Sequence, residues 1–147
     1  MILTFLDKYR DFGLLLMRLG LGISYSLIHG WGKISAGPEL WGKLGNAMSN
    51  LGITFLPHFW GFMAAFSEFF GSILLVAGLF FRPAAFLMAF TMFVAMMSHL
   101  VRLDPWSRVF SPMVLMFIFA GLFFIGPGKY SLDELIRKRK KPSAHEN

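Results

Sequence analysis

The chain has 147 residues, 56% hydrophobic and 17% aromatic, with only 15% charged. Eighteen Phe and ten Met raise the mean hydropathy to +0.60, which is more apolar surface than one soluble core of this size can bury. The lack of cysteine excludes a disulfide scaffold, an iron–sulfur cluster and a zinc finger, and a net charge of +6 points to nucleic acid only if it forms a basic patch on a folded surface.

A helix that crosses a bilayer needs about 17–25 mostly apolar residues. Four stretches qualify: 13–31, 59–81, 83–101 and 109–126. Lys8 and Arg10 precede the first, as in a signal peptide, but the run holds Arg18, exceeds an ordinary h-region and lacks a small-x-small cleavage site. It reads as a retained first helix. On it, Arg18, Gly22, Tyr25 and His29 follow at helical spacing and form one stripe. In the loop that follows, Leu40, Trp41, Leu44, Met48 and Leu51 recur with a helical period, with Gly37 as N-cap, Pro38 as first residue and Gly52 as C-cap. That segment is too short to span, so it is expected to lie in the membrane interface.

The second span carries the stripe Gly61, Ala64, Glu68, Gly71, Leu75 and Gly78, whose small residues permit close helix approach. Arg82 alone separates it from the third span, and Pro83 suits a helix start, so the pair reads as a tight hairpin. In the third span His99 lies near one end, and Met88, Met92 and Met96 follow packing periodicity. After the fourth span a short helix begins at Ser131, with Asp133 and Glu134 in its first turn and basic residues at its end, in accord with the helix dipole. The expected architecture is all-α: a four-transmembrane-helix bundle over residues 1–136, a short interfacial helix between spans 1 and 2, and a basic tail over 137–147.

Four spans put both termini on one side. That side holds Lys8, Arg10, Arg82, Lys129, Arg137, Lys138, Arg139, Lys140 and Lys141, against Lys33, Lys43, Arg102 and Arg108 opposite. The positive-inside rule then makes both termini cytoplasmic in the inner (plasma) membrane. The basic tail reads as a topology signal that touches anionic lipid head groups, with no role for nucleic acid. Trp31, Trp41, Trp60 and Trp106 all fall at the outer ends of spans or in outer loops. They serve either as interfacial anchors or as an aromatic rim around an outward-facing pocket.

Arg18 and Glu68 are the two charges inside spans, where a lone charge costs about 2.5–3.5 kcal/mol on insertion scales. Their depths along straight helices differ by roughly 7–8 Å at 1.5 Å per residue, so an Arg18–Glu68 ion pair is expected, either as a latch or as the charged floor of a ligand site. Tyr25, His29, Glu68 and His99 would line one cavity in the outer half, with Lys33 at its mouth. No HxxH or ExxH spacing supports a metal site, and no Walker loop, GxSxG or HExxH motif occurs.

Three segments resemble the DoxX family of small four-helix membrane proteins. They are MRLGLGISYSLIHGWGKI at 17–34, SEFFGSILLVAGLFFRPAAF at 67–86 and GPGKYSLDEL at 126–135. The resemblance implies a four-helix bundle with a helix on the outer face after the first span. It also implies links to thiosulfate:quinone oxidoreductase, or to a membrane complex with superoxide dismutase and a sulfurtransferase. Many members carry an acidic or amide residue early in the last helix, where this chain reads Val109, Phe110, Ser111, Pro112, Met113.

Two functions are expected on these grounds. One is a redox-linked membrane subunit that binds a quinone or another small apolar ligand. Arg18 and Glu68 would set the electrostatics, Tyr25 with His29 or His99 would donate hydrogen bonds, and Trp60 or Trp106 would stack. The other is a non-catalytic anchor that recruits soluble redox enzymes or a sulfurtransferase through the tail. The glycine-rich faces permit a homodimer.

Overall fold

Helix follows helix through the whole of residues 3–140, the portion that the computed structural model describes, and no strand occurs among them. A 3₁₀ lead-in at Thr4–Tyr9 runs into α1 (Arg10–Tyr25), which continues through a π turn at Ser26–Gly30 into α2 (Trp31–Ser35). The second rod is built the same way, from α4 (Pro57–Phe66), a π turn at Ser67–Gly71 and α5 (Ser72–Ala77). Then come α6 (Phe81–Val101), α7 (Trp106–Ile125) and α8 (Leu132–Arg139). Four helical stretches, Thr4–Ser35, Pro57–Ala77, Phe81–Val101 and Trp106–Ile125, are long and apolar enough to cross a membrane, as the sequence predicts.

Each rod packs along a stripe of small residues. A Cβ on Gly22 would meet the Ser72 carbonyl at 2.8 Å, so α1 and α5 nearly touch there. Higher up, the two π turns lie against each other, and a Cβ on Gly30 would fall 2.6 Å from the Phe69 Cα. The core is completed by α6 and α7: Phe81, Ala85, Met88 and Phe119 lose all solvent contact beside Leu75. The methionines of α6 are packing residues, as their spacing predicts.

The segment between the first two rods is α3 (Pro38–Gly45) followed by a 3₁₀ turn, Asn46–Leu51. Gly37 (φ 80°) caps its start and Gly52 (φ 79°) its end. It does not lie apart from the bundle. A Cβ on Gly61 would collide with the Trp41 carbonyl, and one on Gly45 with the Pro57 carbonyl, so α3 sits on α4 backbone to backbone.

The turn between spans 2 and 3 comes earlier than Arg82. Gly78 adopts φ 64° and closes α5, with its N–H donating to the Leu75 carbonyl and that of Leu79 to Leu74. Phe80 is also left-handed, and α6 opens at Phe81 with Pro83 in its first turn. Both oxygens of Asp133 accept from the backbone N–H groups of Phe80 and Phe81, at 3.0 Å each. The hairpin is thus clamped by the start of α8, whose own N-cap is Ser131, as expected from the sequence. Residues 141–147, including Lys141 of the predicted basic tail, lie outside the described residues.

Candidate functional site

Both membrane-buried charges are almost wholly sequestered, Arg18 at 1% and Glu68 at 2% exposure, but they do not pair. Arg18 turns toward the end of the bundle that carries the chain termini. Its Nε donates to the Leu75 carbonyl (2.9 Å) and Nη2 to Val76 (2.8 Å), while Nη1 donates to both Pro127 (2.9 Å) and Tyr130 (2.8 Å). The expected Arg18–Glu68 pair fails for a physical reason. The second span ends at Ala77 rather than Phe81, which brings the open carbonyls of a helix C-terminus within the reach of the guanidinium, and these attract a cation. Every Arg18 nitrogen has a carbonyl partner, and four of its five N–H groups are engaged this way.

Glu68 pairs with Lys33 instead. Its Oε1 accepts from the Lys33 Nζ at 2.6 Å, across the meeting of the two rods. Glu68 lies within the π turn of the second rod, and Lys33 lies three residues beyond the π turn of the first. A π turn carries one residue more than an α turn and shifts the faces that follow. This accounts for a second correction: His29, on the predicted inward stripe, is exposed, and Ser26 and Gly30 are buried in its place.

Beside Glu68 opens a cavity of about 640 Å³ between α3, α4 and α6. Its wall on α6 follows helical spacing from Phe86 through Phe90, Val94 and Ser98 to Arg102, a rise of about 24 Å. No α1 or α7 residue lines it. Polar groups gather toward the α3 end: Lys33, Lys43, Trp60, Glu68, His99 and Arg102.

The predicted site residues therefore separate. Lys33, Trp60, Glu68 and His99 line one cavity; Arg18, Tyr25, His29 and Trp106 do not. Tyr25 is buried elsewhere, its hydroxyl 2.9 Å from the Met92 sulfur and its ring edge-on to Phe119. His29 packs against the Tyr25 ring, and Trp106 is 71% exposed. His99 meets Asp104 in the α6–α7 turn at 2.7 Å, a contact that holds the Asp104 carboxyl below its usual range. Among the described residues no group of His, Asp and Glu has metal-binding geometry.

Three lining hydroxyls, those of Ser67, Thr91 and Ser98, were not foreseen from the sequence. The Ser67 and Thr91 hydroxyls lie 2.7 Å apart and join the second rod to α6, and Asn50 Nδ2 donates to Ser98 Oγ at 3.0 Å. Thr91 and Ser98, the only hydroxyls of α6 and seven residues apart, were the available signal.

Several polar groups around the cavity are satisfied internally. Two buried atoms on its wall are not: among the described residues, Glu68 Oε2 and Trp60 Nε1 are shielded from solvent without a hydrogen-bond partner. Buried polar groups are rarely left so, and each one needs a reason. One is an acceptor and the other a donor. They sit eight residues apart on one rod, about 12 Å at helical rise.

Such a bundle, with an apolar cavity under a few polar groups, defines a helical multi-pass membrane protein with a small-molecule-sized pocket. The family model for DoxX matches residues 13–100, more than half of the chain, and the chain belongs to the DoxX family. Comparison with curated proteins and with solved structures gives no match.

Proposed function

We propose that the protein binds a small apolar molecule with a hydrogen-bonding head, of the quinone class, in the cavity between α3, α4 and α6. In this reading it serves as a redox-linked subunit of a membrane oxidoreductase complex. The observation that carries the reading is the pair of unpartnered buried atoms, Glu68 Oε2 and Trp60 Nε1, on the wall of a cavity of about 640 Å³, a size ordinary for such ligands. The excess of Lys and Arg on the side of the termini supports an inner-membrane protein with both termini in the cytoplasm and the cavity's polar end facing outward. Lys33 and Glu68 set the field there, and His99 and Trp60 line the approach.

The test is direct. Protein purified in mild detergent should retain quinone in its organic extract, and added short-chain quinone should raise its unfolding temperature. Neither quinone in the extract nor a thermal shift would overturn the reading.

A second reading, an anchor for soluble redox enzymes or a sulfurtransferase, is favoured by one observation. α8 has no buried residue and carries Arg137, Lys138 and Arg139 in its last turn. Truncation after Asp133 should then abolish co-purification of soluble partners, and unchanged partners would dismiss it.

A further inference from the structure

Resting on the cavity-ligand reading above, we infer that this cavity selects a ligand whose head donates a hydrogen bond, such as the hydroxyl of a quinol or phenol, over the carbonyl of the matching quinone. The argument starts from what each polar group has left to offer. Lys33 Nζ lies 2.6 Å from Glu68 Oε1, and this ion pair makes Glu68 an acceptor with one oxygen occupied. The other oxygen, Oε2, has no partner, and the residue is 2% exposed. Only a donor can satisfy it, and a donor to a carboxylate out of water forms a charge-assisted bond, about twice as strong as a neutral one. A carbonyl brought to the same atom would set lone pair against lone pair.

Lys43 and Arg102 also line the cavity but are exposed to solvent, and His99 is held by Asp104, so among the buried groups none reverses this preference. The Ser67 and Thr91 hydroxyls are engaged with each other and with the carbonyls of Ala64 and Leu87. The donor at Trp60 Nε1 lies about two turns away along the rod. It accepts either form equally, since both a hydroxyl and a carbonyl oxygen can receive a bond. Discrimination between the oxidation states of one ring therefore falls on Glu68, and the indole of Trp60 contributes affinity without discrimination.

A matched series tests this on the purified full-length protein under anaerobic conditions: duroquinol, duroquinone and the dimethyl ether of duroquinol, which share one ring and differ at the head. Duroquinol is expected to bind at least tenfold more tightly than duroquinone, with the ether no better than the quinone. Glu68→Gln offers an amide that donates as well as accepts, and the ratio should fall to near one. Trp60→Phe should weaken both forms together and leave the ratio intact. If the two forms bind wild-type protein equally, or the quinone binds better, the inference is overturned while the cavity reading stands. A quinol preference that persists in Glu68→Gln also overturns it. If no member of the series binds, the cavity reading itself falls. Should Glu68→Gln fail to fold, the wild-type series and Trp60→Phe still decide.

Discussion

The two buried charges make opposite uses of similar surroundings. Arg18, near the chain termini, gives all three of its nitrogens to four backbone carbonyls from two separate segments, α5 and the loop before α8. Glu68, nearer α3, is equally buried but has one oxygen bonded and the other bare. The cost of burying an ion is offset in the first case by internal bonds, and in the second only in part. A charge with each of its polar atoms bonded is a fastener, and a charge with one left bare is where something else can be held. Occupancy of bonds separates the two roles; burial does not.

The largest effect that would sharpen this contrast is at Arg18. Arg18→Ala strips four carbonyls of their donor at the junction of α5, the Gly126–Tyr130 loop and α8. It should cost about 3 kcal/mol or more, read as a fall of roughly 10 °C in the unfolding midpoint. Arg18→Lys should rescue little, because three fixed nitrogens cannot be replaced by one ammonium. If Arg18→Ala folded normally but lost ligand, the contrast would be broken.

Next in size is the seat of the cavity. Gly61→Ala drives a methyl into the Trp41 carbonyl and must push α3 off α4, at about 1–3 kcal/mol with loss of ligand-induced stabilisation. Gly121→Ala, with nothing within 4 Å of the new methyl, should be neutral or slightly stabilising. Equal responses from the two variants would show that the close approach at α3 does not matter.

A smaller change is expected at Glu68. Glu68→Gln retains an acceptor for Lys33, and Lys33 is 31% exposed and can turn to water. Its cost should stay within about 1 kcal/mol, well below that of Arg18→Ala, so that circular dichroism and thermal melts remain near wild type while binding changes.

The smallest effect concerns the turn that fixes His99 over the cavity. The hydrogen bond from His99 lowers the Asp104 pKa in the folded protein. A depressed carboxylate contributes stability that is present above its unfolded pKa and is lost as pH falls through the folded value. Wild-type protein should therefore lose a small increment of stability below about pH 4, near the ordinary carboxylate value, and Asp104→Asn should flatten that slope. Thermal melts between pH 6 and pH 3 would show it, and parallel curves would refute it.

Much of this architecture is legible in the residues. Hydropathy placed four spans, glycine and proline placed the ends of the helical segment between the first two rods, and the Ser131–Glu134 spacing placed the start of α8. The end of the second span is not legible, because Leu79 and Phe80 are as apolar as the helix they interrupt. The Arg18–Glu68 expectation fails on that account, because the early end of α5 brings the Leu75 and Val76 carbonyls within reach of the guanidinium. Of the predicted site, the half beyond α periodicity was hidden. Lys33 and Glu68 share a contact and His29 leaves it because both rods contain a π turn, and nothing in their composition marks one.

Each π turn adds, in effect, one residue's worth of rotation, about 100°. Deleting one residue from the first would swing Gly30 from beneath Phe69 and carry Lys33 away; deleting one from the second would carry Glu68 away instead. Two pieces of chain 35 residues apart are therefore bound by a shared count.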